Sequence, residues 1–264
     1  MEIINRAAAP RALKAAVFDF DGTVSTLRCG WEQVMGPMML EFITAADPAA
    51  DAADEVARYI DQSTGIQTVY QMQWLAERVA AAGGPERDAW WYKDEYNRRL
   101  MARVAQKKEA LKTGKALPGD YTVAGAAEFV RALKNAGLEL YLASGTDHAD
   151  VLREAALLGV DGYFTGIKGA PERAAACSKE AVLTALLEEK HIPGERLLVV
   201  GDGKVEIALG KKYGAFALGA ATDEASRRGV NEVKRQRLIA AGADAVTGDF
   251  TDLPALLAWL HIGG

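Results

Sequence analysis

Apolar residues in this chain fall into short continuous runs separated by segments of helical periodicity. The runs read as strands at 13–19, 138–143, 162–166, 196–201, 214–218 and 244–247, since a strand buried on both faces needs no polar alternation. Between them, the pattern at 124–136 predicts a helix that Gly137 ends. Ser178 is placed to cap another, running to about Lys190. Strands alternating with helices predict a parallel sheet covered on both faces, and ligands bind such sheets beyond the strands' carboxyl ends.

One interval breaks this alternation. Between the first strand and the second the chain inserts roughly ninety residues, far more than a crossover needs. From about Thr26 to Leu117 the periodicity is helical, with helices expected at 31–44, 52–60, 68–82 and 87–112. The expected organisation is an α/β core of residues 1–25 and 118–264 with an all-helical insertion at 26–117.

The candidate chemistry lies where the strands end. The first apolar run closes on Asp19-Phe20-Asp21-Gly22-Thr23. Residues i and i+2 of a strand share a face, so both carboxylates can reach one ligand, although Asp-Gly also makes an ordinary turn. The second run ends in Ser144-Gly145-Thr146-Asp147, which reads as a phosphate-binding turn before a helix beginning near Thr146 or Asp147, or as a simple N-cap. Lys179 opens a helix, where a cation opposes the dipole unless an anion is close; a solvated surface lysine is the alternative. The run at 196–201 ends in Gly201-Asp202, with Glu206 four residues on. Glu206 falls on the same side and can hold a metal-bound water or orient Lys179.

These four strand-end motifs, in this order, resemble the haloacid dehalogenase superfamily, in particular its phosphatase branch with a helical cap (phosphoglycolate phosphatase-like). The resemblance spans nearly the whole chain and implies a Rossmann-like core. It implies that Asp19 is the nucleophile and Asp21 the general acid and then base, with Mg²⁺ held by the Asp19 carboxylate, the Asp21 backbone carbonyl and Asp202. Ser144, the Gly145 amide and Lys179 would surround the transferring phosphoryl group, and Thr23 would order the loop beside it. Two positions depart from the family pattern: Lys179-Glu180 stands where many relatives have Lys-Pro, and Glu206 where many have Asp. Lys168 therefore competes for the lysine role. Asp21 argues for phosphate esters over halides, because an alkoxide leaving group needs an acid to protonate it.

In the insertion, 63–72 offers glycine, amide and phenol groups. Gln67, Tyr70 and Gln71 either face a polyhydroxylated ligand or form a helix corner with Tyr70 packed between helices. Arg28 either reaches the leaving group or faces solvent. The aromatic cluster at 90–96 reads as packing, and His148 as a surface residue or a substrate contact.

Composition narrows the picture further. Half the residues are hydrophobic and a quarter charged, as in soluble globular chains, and a net charge of −5 argues against nucleic acid as the main partner. No stretch approaches the ~20 apolar residues of a membrane span, and 1–10 carries no signal-peptide pattern. Cys29 and Cys177 read as free thiols of a reducing compartment, so the expected location is the cytoplasm. The expected partner is a small-molecule phosphate ester taken up by a monomer or homodimer, with no nucleic acid and no membrane. The expected reaction is Mg²⁺-dependent hydrolysis of a sugar or polyol phosphate, with phosphoglycolate and nucleotides open as substrates. A phosphomutase and a non-catalytic phosphate-binding module are the alternatives.

Overall fold

Seven strands form one sheet in the order β1-β7-β6-β5-β2-β3-β4. The computed structural model describes residues 1–174 and 178–263, with the backbone alone at Ser178. The thiol expected at Cys177 and the side-chain cap expected from Ser178 lie outside the described residues. The strands are β1 (Glu2–Ile3), β2 (Ala15–Phe18), β3 (Glu139–Asp147), β4 (Gly166–Ala170), β5 (Leu197–Gly201), β6 (Phe216–Ala220) and β7 (Ala245–Thr247). All neighbours pair in parallel except β1, a two-residue edge strand antiparallel to β7 that the apolar pattern does not announce.

The central strand shows why an all-apolar run makes a strand here. Side chains alternate faces, and both faces of β2 are covered: Ala16 and Phe18 join Leu140, Leu142, Leu198 and Val200 on one side. Ala15 and Val17 join Ala143, Leu197 and Val199 on the other, beneath Val182, Leu183 and Leu186 of helix α7 (Ser178–Glu188). On the first face Phe18 meets Phe129 and Phe164 edge-on, at 5.9 and 6.0 Å between ring centres. Phe129 belongs to helix α5 (Ala126–Asn135). That helix ends as expected at Gly137, whose φ of +87° suits glycine.

Two local expectations are corrected. The strand read at 162–166 begins only at Gly166, because Asp161–Tyr163 closes a tight turn, with Tyr163 N–H donating to Val160 O at 3.1 Å and Phe164 N–H to Asp161 O at 3.1 Å. The Phe164 ring is then free to fill the core against Phe18. The helix expected from Thr146 or Asp147, α6 (His148–Leu157), starts at His148, since β3 runs on to Asp147 through a register shift after Ala143.

Between β2 and α5 the chain forms four helices, α1 (Glu32–Ala46), α2 (Ala53–Ser63), α3 (Thr68–Ala81) and α4 (Ala89–Lys112), close to the expected bounds. They pack on one another, and α4 also packs on α6. Met35, Met38, Met72, Leu75, Tyr92 and Leu100 are buried among them. Through Val24 and Leu27 that apolar cluster is continuous with Phe18 and Phe20 at the sheet. Helices α8 (Lys204–Lys212), α9 (Glu232–Ala240) and α10 (Leu253–Trp259) complete the α/β layers. No helix among the described residues is long and apolar enough to cross a membrane.

Candidate active site

Strand register brings three of the motifs together. Phe18 on β2 pairs with Leu142 on β3 and Val200 on β5. The residues just beyond each pairing, Asp19, Ser144 and Asp202, therefore emerge at one edge of the sheet. Asp19 N–H donates to Val200 O at 2.8 Å, which fixes the strand end. Gly22 is required at the turn that follows: its φ is +78°, and a Cβ there would stand 2.2 Å from Asp202 Oδ2.

Lys179 reaches this edge from the first turn of α7. Its Nζ lies 3.0 Å from Asp19 Oδ1 and 2.8 Å from Glu206 Oε2, and all three residues are buried. Burial works against the ammonium charge, but the carboxylates of Asp19 and Glu206 outweigh it and hold the Lys179 pKa above its ordinary value. They also supply the negative charge that a cation at a helix start needs. Glu206 is held in turn by Gly203 N–H, which donates to its Oε1 at 2.6 Å at the start of α8. Of the two roles expected for Glu206, contact with Lys179 is the one visible in the geometry. Lys168, the competing lysine, is exposed on β4 and lines a different cavity with Trp90 and His148.

The Asp21 carboxyl is held by hydroxyl groups of β3. Its Oδ2 accepts from Thr146 Oγ1 at 2.8 Å and from Ser144 Oγ at 3.4 Å. Burial, opposed by the nearby Arg28 guanidinium, pushes its pKa up to about 6. Arg28 does not face solvent: it is buried, donates to Glu154 Oε2 through Nε at 3.0 Å and to Oε1 through Nη2 at 2.8 Å, and lies 3.8 Å from Asp21 Oδ1. Thr23 corrects its expectation. It is fully buried, lies outside the cavity lining, and its hydroxyl has no hydrogen-bond partner among the described residues.

Carboxylate oxygens of Asp19, Asp202 and Glu206 lie within 4.8 Å of one another. A buried, all-oxygen cluster of this kind fits a hard divalent cation such as Mg²⁺. The Asp21 carboxylate is not part of that cluster. Asp202 Oδ2 also meets Lys234 Nζ at 2.6 Å, and Lys234 reaches Glu224 Oε1 at 2.5 Å.

A cavity of about 100 Å³ opens above these groups. The turn between α2 and α3 covers it: Thr64, Gly65 and Ile66 line it, and a Cβ on Gly145 would stand 3.3 Å from Ile66 O. Gln71 lines it as well while donating to Ser63 Oγ at 3.1 Å. Gln67 is buried at the start of α3 and borders a separate apolar recess of about 190 Å³ beside Gly145 and Lys179. Tyr70 borders that recess too but is 46% exposed, so it is neither packed between helices nor on the wall of the cavity above Asp19. His148 stands at the α6 start, exposed, with Nδ1 accepting from Gly169 N–H at 3.2 Å.

Sequence reading missed Thr146, Glu154, Glu224 and Lys234. Thr146 sits two residues after Ser144 on the same strand. Glu154 shares the buried stripe of α6 with Val151 and Ala155, and an acid in that register was the available signal. Glu224 and Lys234 have no local signature, because only the chain's return through α9 brings them to Asp202.

A mostly parallel α/β sheet gathers four acids, a buried lysine and a hydroxyl residue at its carboxyl edge, where ligands bind in sheets of this topology. The chain belongs to the haloacid dehalogenase-like hydrolase family, which it matches over residues 13–214. No curated protein matches it in sequence. Among solved structures it is similar to a predicted phosphatase from Clostridium acetobutylicum, with 15% identity, 93% of this chain and 98% of that one covered, and a TM-score of 0.60. A predicted phosphoglycolate phosphatase from Haemophilus somnus 129pt has 16% identity, 93% and 98% coverage and a TM-score of 0.61. A beta-phosphoglucomutase from Clostridium difficile has 12% identity, 94% and 97% coverage and a TM-score of 0.63. At these identities the likeness is one of fold.

Proposed function

We propose that this protein is a Mg²⁺-dependent phosphatase that hydrolyses a small phosphorylated metabolite, a sugar or polyol phosphate, through an aspartyl-phosphate on Asp19. The carrying observation is the placement of Asp19 at the end of the central strand, with Lys179 3.0 Å away and the Asp21 carboxyl held by a separate set of partners. That separation suits two carboxyls with different tasks. An Asp19 oxygen bonds to phosphorus as the ester P–O bond breaks, and the departing alkoxide takes the Asp21 proton. Water then attacks phosphorus and gives its proton to Asp21 as the bond to Asp19 breaks. A pKa near 6 keeps part of Asp21 protonated near neutrality, as the first step requires.

Ser144, the Gly145 amide and Lys179 would stabilise the phosphoryl oxygens, with Glu206 holding Lys179 in place. Asp19, the Asp21 carbonyl and Asp202 would hold Mg²⁺, with Glu206 at the edge of that shell. When bound, the metal offsets the repulsion between a carboxylate and a phosphate dianion. In this reading 26–117 act as a cap over a core of 1–25 and 118–264, and the 64–66 turn excludes water from the cavity. Sparse cysteine usage supports a reducing, cytoplasmic setting.

Asp19→Asn tests the proposal. It should abolish phosphate release from sugar, polyol, glycolate and nucleotide monophosphates assayed with Mg²⁺, while circular dichroism stays unchanged. Retained turnover would exclude Asp19 as nucleophile. An isomerised product carrying labelled phosphate, with no net release, would identify a mutase instead.

A further inference from the structure

Of the described residues lining the cavity, two carry positive charge, Lys179 and Arg28. Lys179 is committed to Asp19 and Glu206 and, in the phosphatase reading, to the phosphoryl group. Arg28 is the one cation on the wall nearest Asp21, where the alcohol half of an ester would lie. Its charge is already answered. Glu154, completely buried, accepts from both Nε and Nη2, and Asp150 Oδ2 lies 3.4 Å from Nη2. Glu154 is itself fixed from the inserted helices by Lys108 of α4, whose Nζ lies 2.6 Å from Oε1.

Another ammonium near this wall, Lys234, is likewise spent on Asp202 and Glu224, and it is Glu224 that lines the cavity. The remaining wall offers Thr64, Thr68, Gln71 and Tyr96, with Trp31 and Leu100 as apolar surface. Hydroxyl and amide groups exchange hydrogen bonds readily with an alcohol. A second anion would meet an Arg28 charge already shared among Asp21, Asp150 and Glu154, or would approach Glu224.

We infer that Glu154 and Glu224 set specificity against esters whose alcohol half carries a second negative charge, so that the site takes polyhydroxy phosphate monoesters rather than phospho-carboxylates or bisphosphates. The inference rests on the phosphatase reading for the position of the phosphoryl group. Glu154 acts as a positioning residue: it touches no substrate and withholds the Arg28 charge. Glu224 acts directly as an acidic part of the wall.

Matched ester pairs that differ only by CH₂OH against carboxylate isolate this effect: glycerol 3-phosphate with 3-phosphoglycerate, and 2-hydroxyethyl phosphate with phosphoglycolate. Calorimetric titration of Asp19→Asn protein with Mg²⁺ should show the hydroxyl member of each pair binding at least about tenfold more tightly. Glu154→Gln, made in the same background, should narrow that ratio by about tenfold by improving binding of the carboxylate member. A merely structural role for Glu154 would weaken both members alike. Should Glu154→Gln fail to fold by circular dichroism, Glu224→Gln provides the second variant, with the same narrowing expected. Equal or tighter binding of the carboxylate members by the parent protein, or no binding of any ester, would overturn the inference. Hydroxyl preference in binding with no phosphate release by the wild-type enzyme would support the inference and overturn the phosphatase reading alone.

Discussion

At the scale of single residues, Lys179 and Lys168 are indistinguishable in kind, and each follows an apolar stretch near a glycine or helix start. What separates them is burial and company. Lys179 lies between two buried carboxylates, whereas Lys168 is exposed on an outer strand. Lys179→Ala should therefore lower phosphate release by about 10²–10³-fold, the usual cost of removing a preorganised donor to developing charge, and Lys168→Ala should change it less than about twofold. Comparable losses in steady-state kinetics of both variants would contradict the assignment. Asp19, Asp21 and Asp202 were legible because short-range rules put them at strand ends. Glu154 and Lys234 were not, since their partners stand 126 and 32 residues away in the chain.

Among the elements, α4 carries the clearest electrostatic signature. Glu95 accepts from Arg98 Nε at 2.7 Å and Arg99 Nε at 2.6 Å, and Arg99 also grips Glu41 of α1 through both Nη atoms. The hydrogen bond from Arg98, with that from Arg99 and opposed by slight burial, depresses the Glu95 pKa from 4.5 to about 2. A carboxyl whose folded pKa is depressed contributes stability that is full above its unfolded pKa and is lost as pH falls through the folded one. Glu95→Gln should lower the melting temperature by about 1–3 °C at pH 7. That gap should close as pH falls from 4.5 toward about 2. Thermal melts of both proteins across that range check the sign, and a gap that widens in acid would refute it. Helix boundaries were read closely from periodicity because α1 to α4 each bury one stripe. The strand at 166–170 was misplaced because the apolar Phe164 belongs to the core without belonging to a strand.

For the whole molecule, the cluster of Asp19, Asp202 and Glu206 concentrates negative charge that folding must bury. An ion binding only the folded state would relieve it and stabilise the protein, by about 2.7 kcal/mol at a hundred times its Kd. Mg²⁺ should thus raise the apparent melting temperature by several degrees over EDTA-treated protein, and Asp202→Asn should lose most of that increment. A scan insensitive to Mg²⁺ would count against the metal site. The apolar cluster that runs unbroken from the inserted helices into the sheet face explains how ninety or so extra residues between two strands are tolerated. By itself the sequence determined the alternation of strands and helices, the inserted helical segment and the acids at the strand ends, because each follows from periodicity and backbone geometry over a few residues. Only the tertiary structure decided which lysine meets Asp19, that Arg28 is claimed by Glu154, and that Lys234 and Glu224 stand beside Asp202. Those choices depend on strand register and on packing between segments far apart in the chain, and no local pattern encodes them.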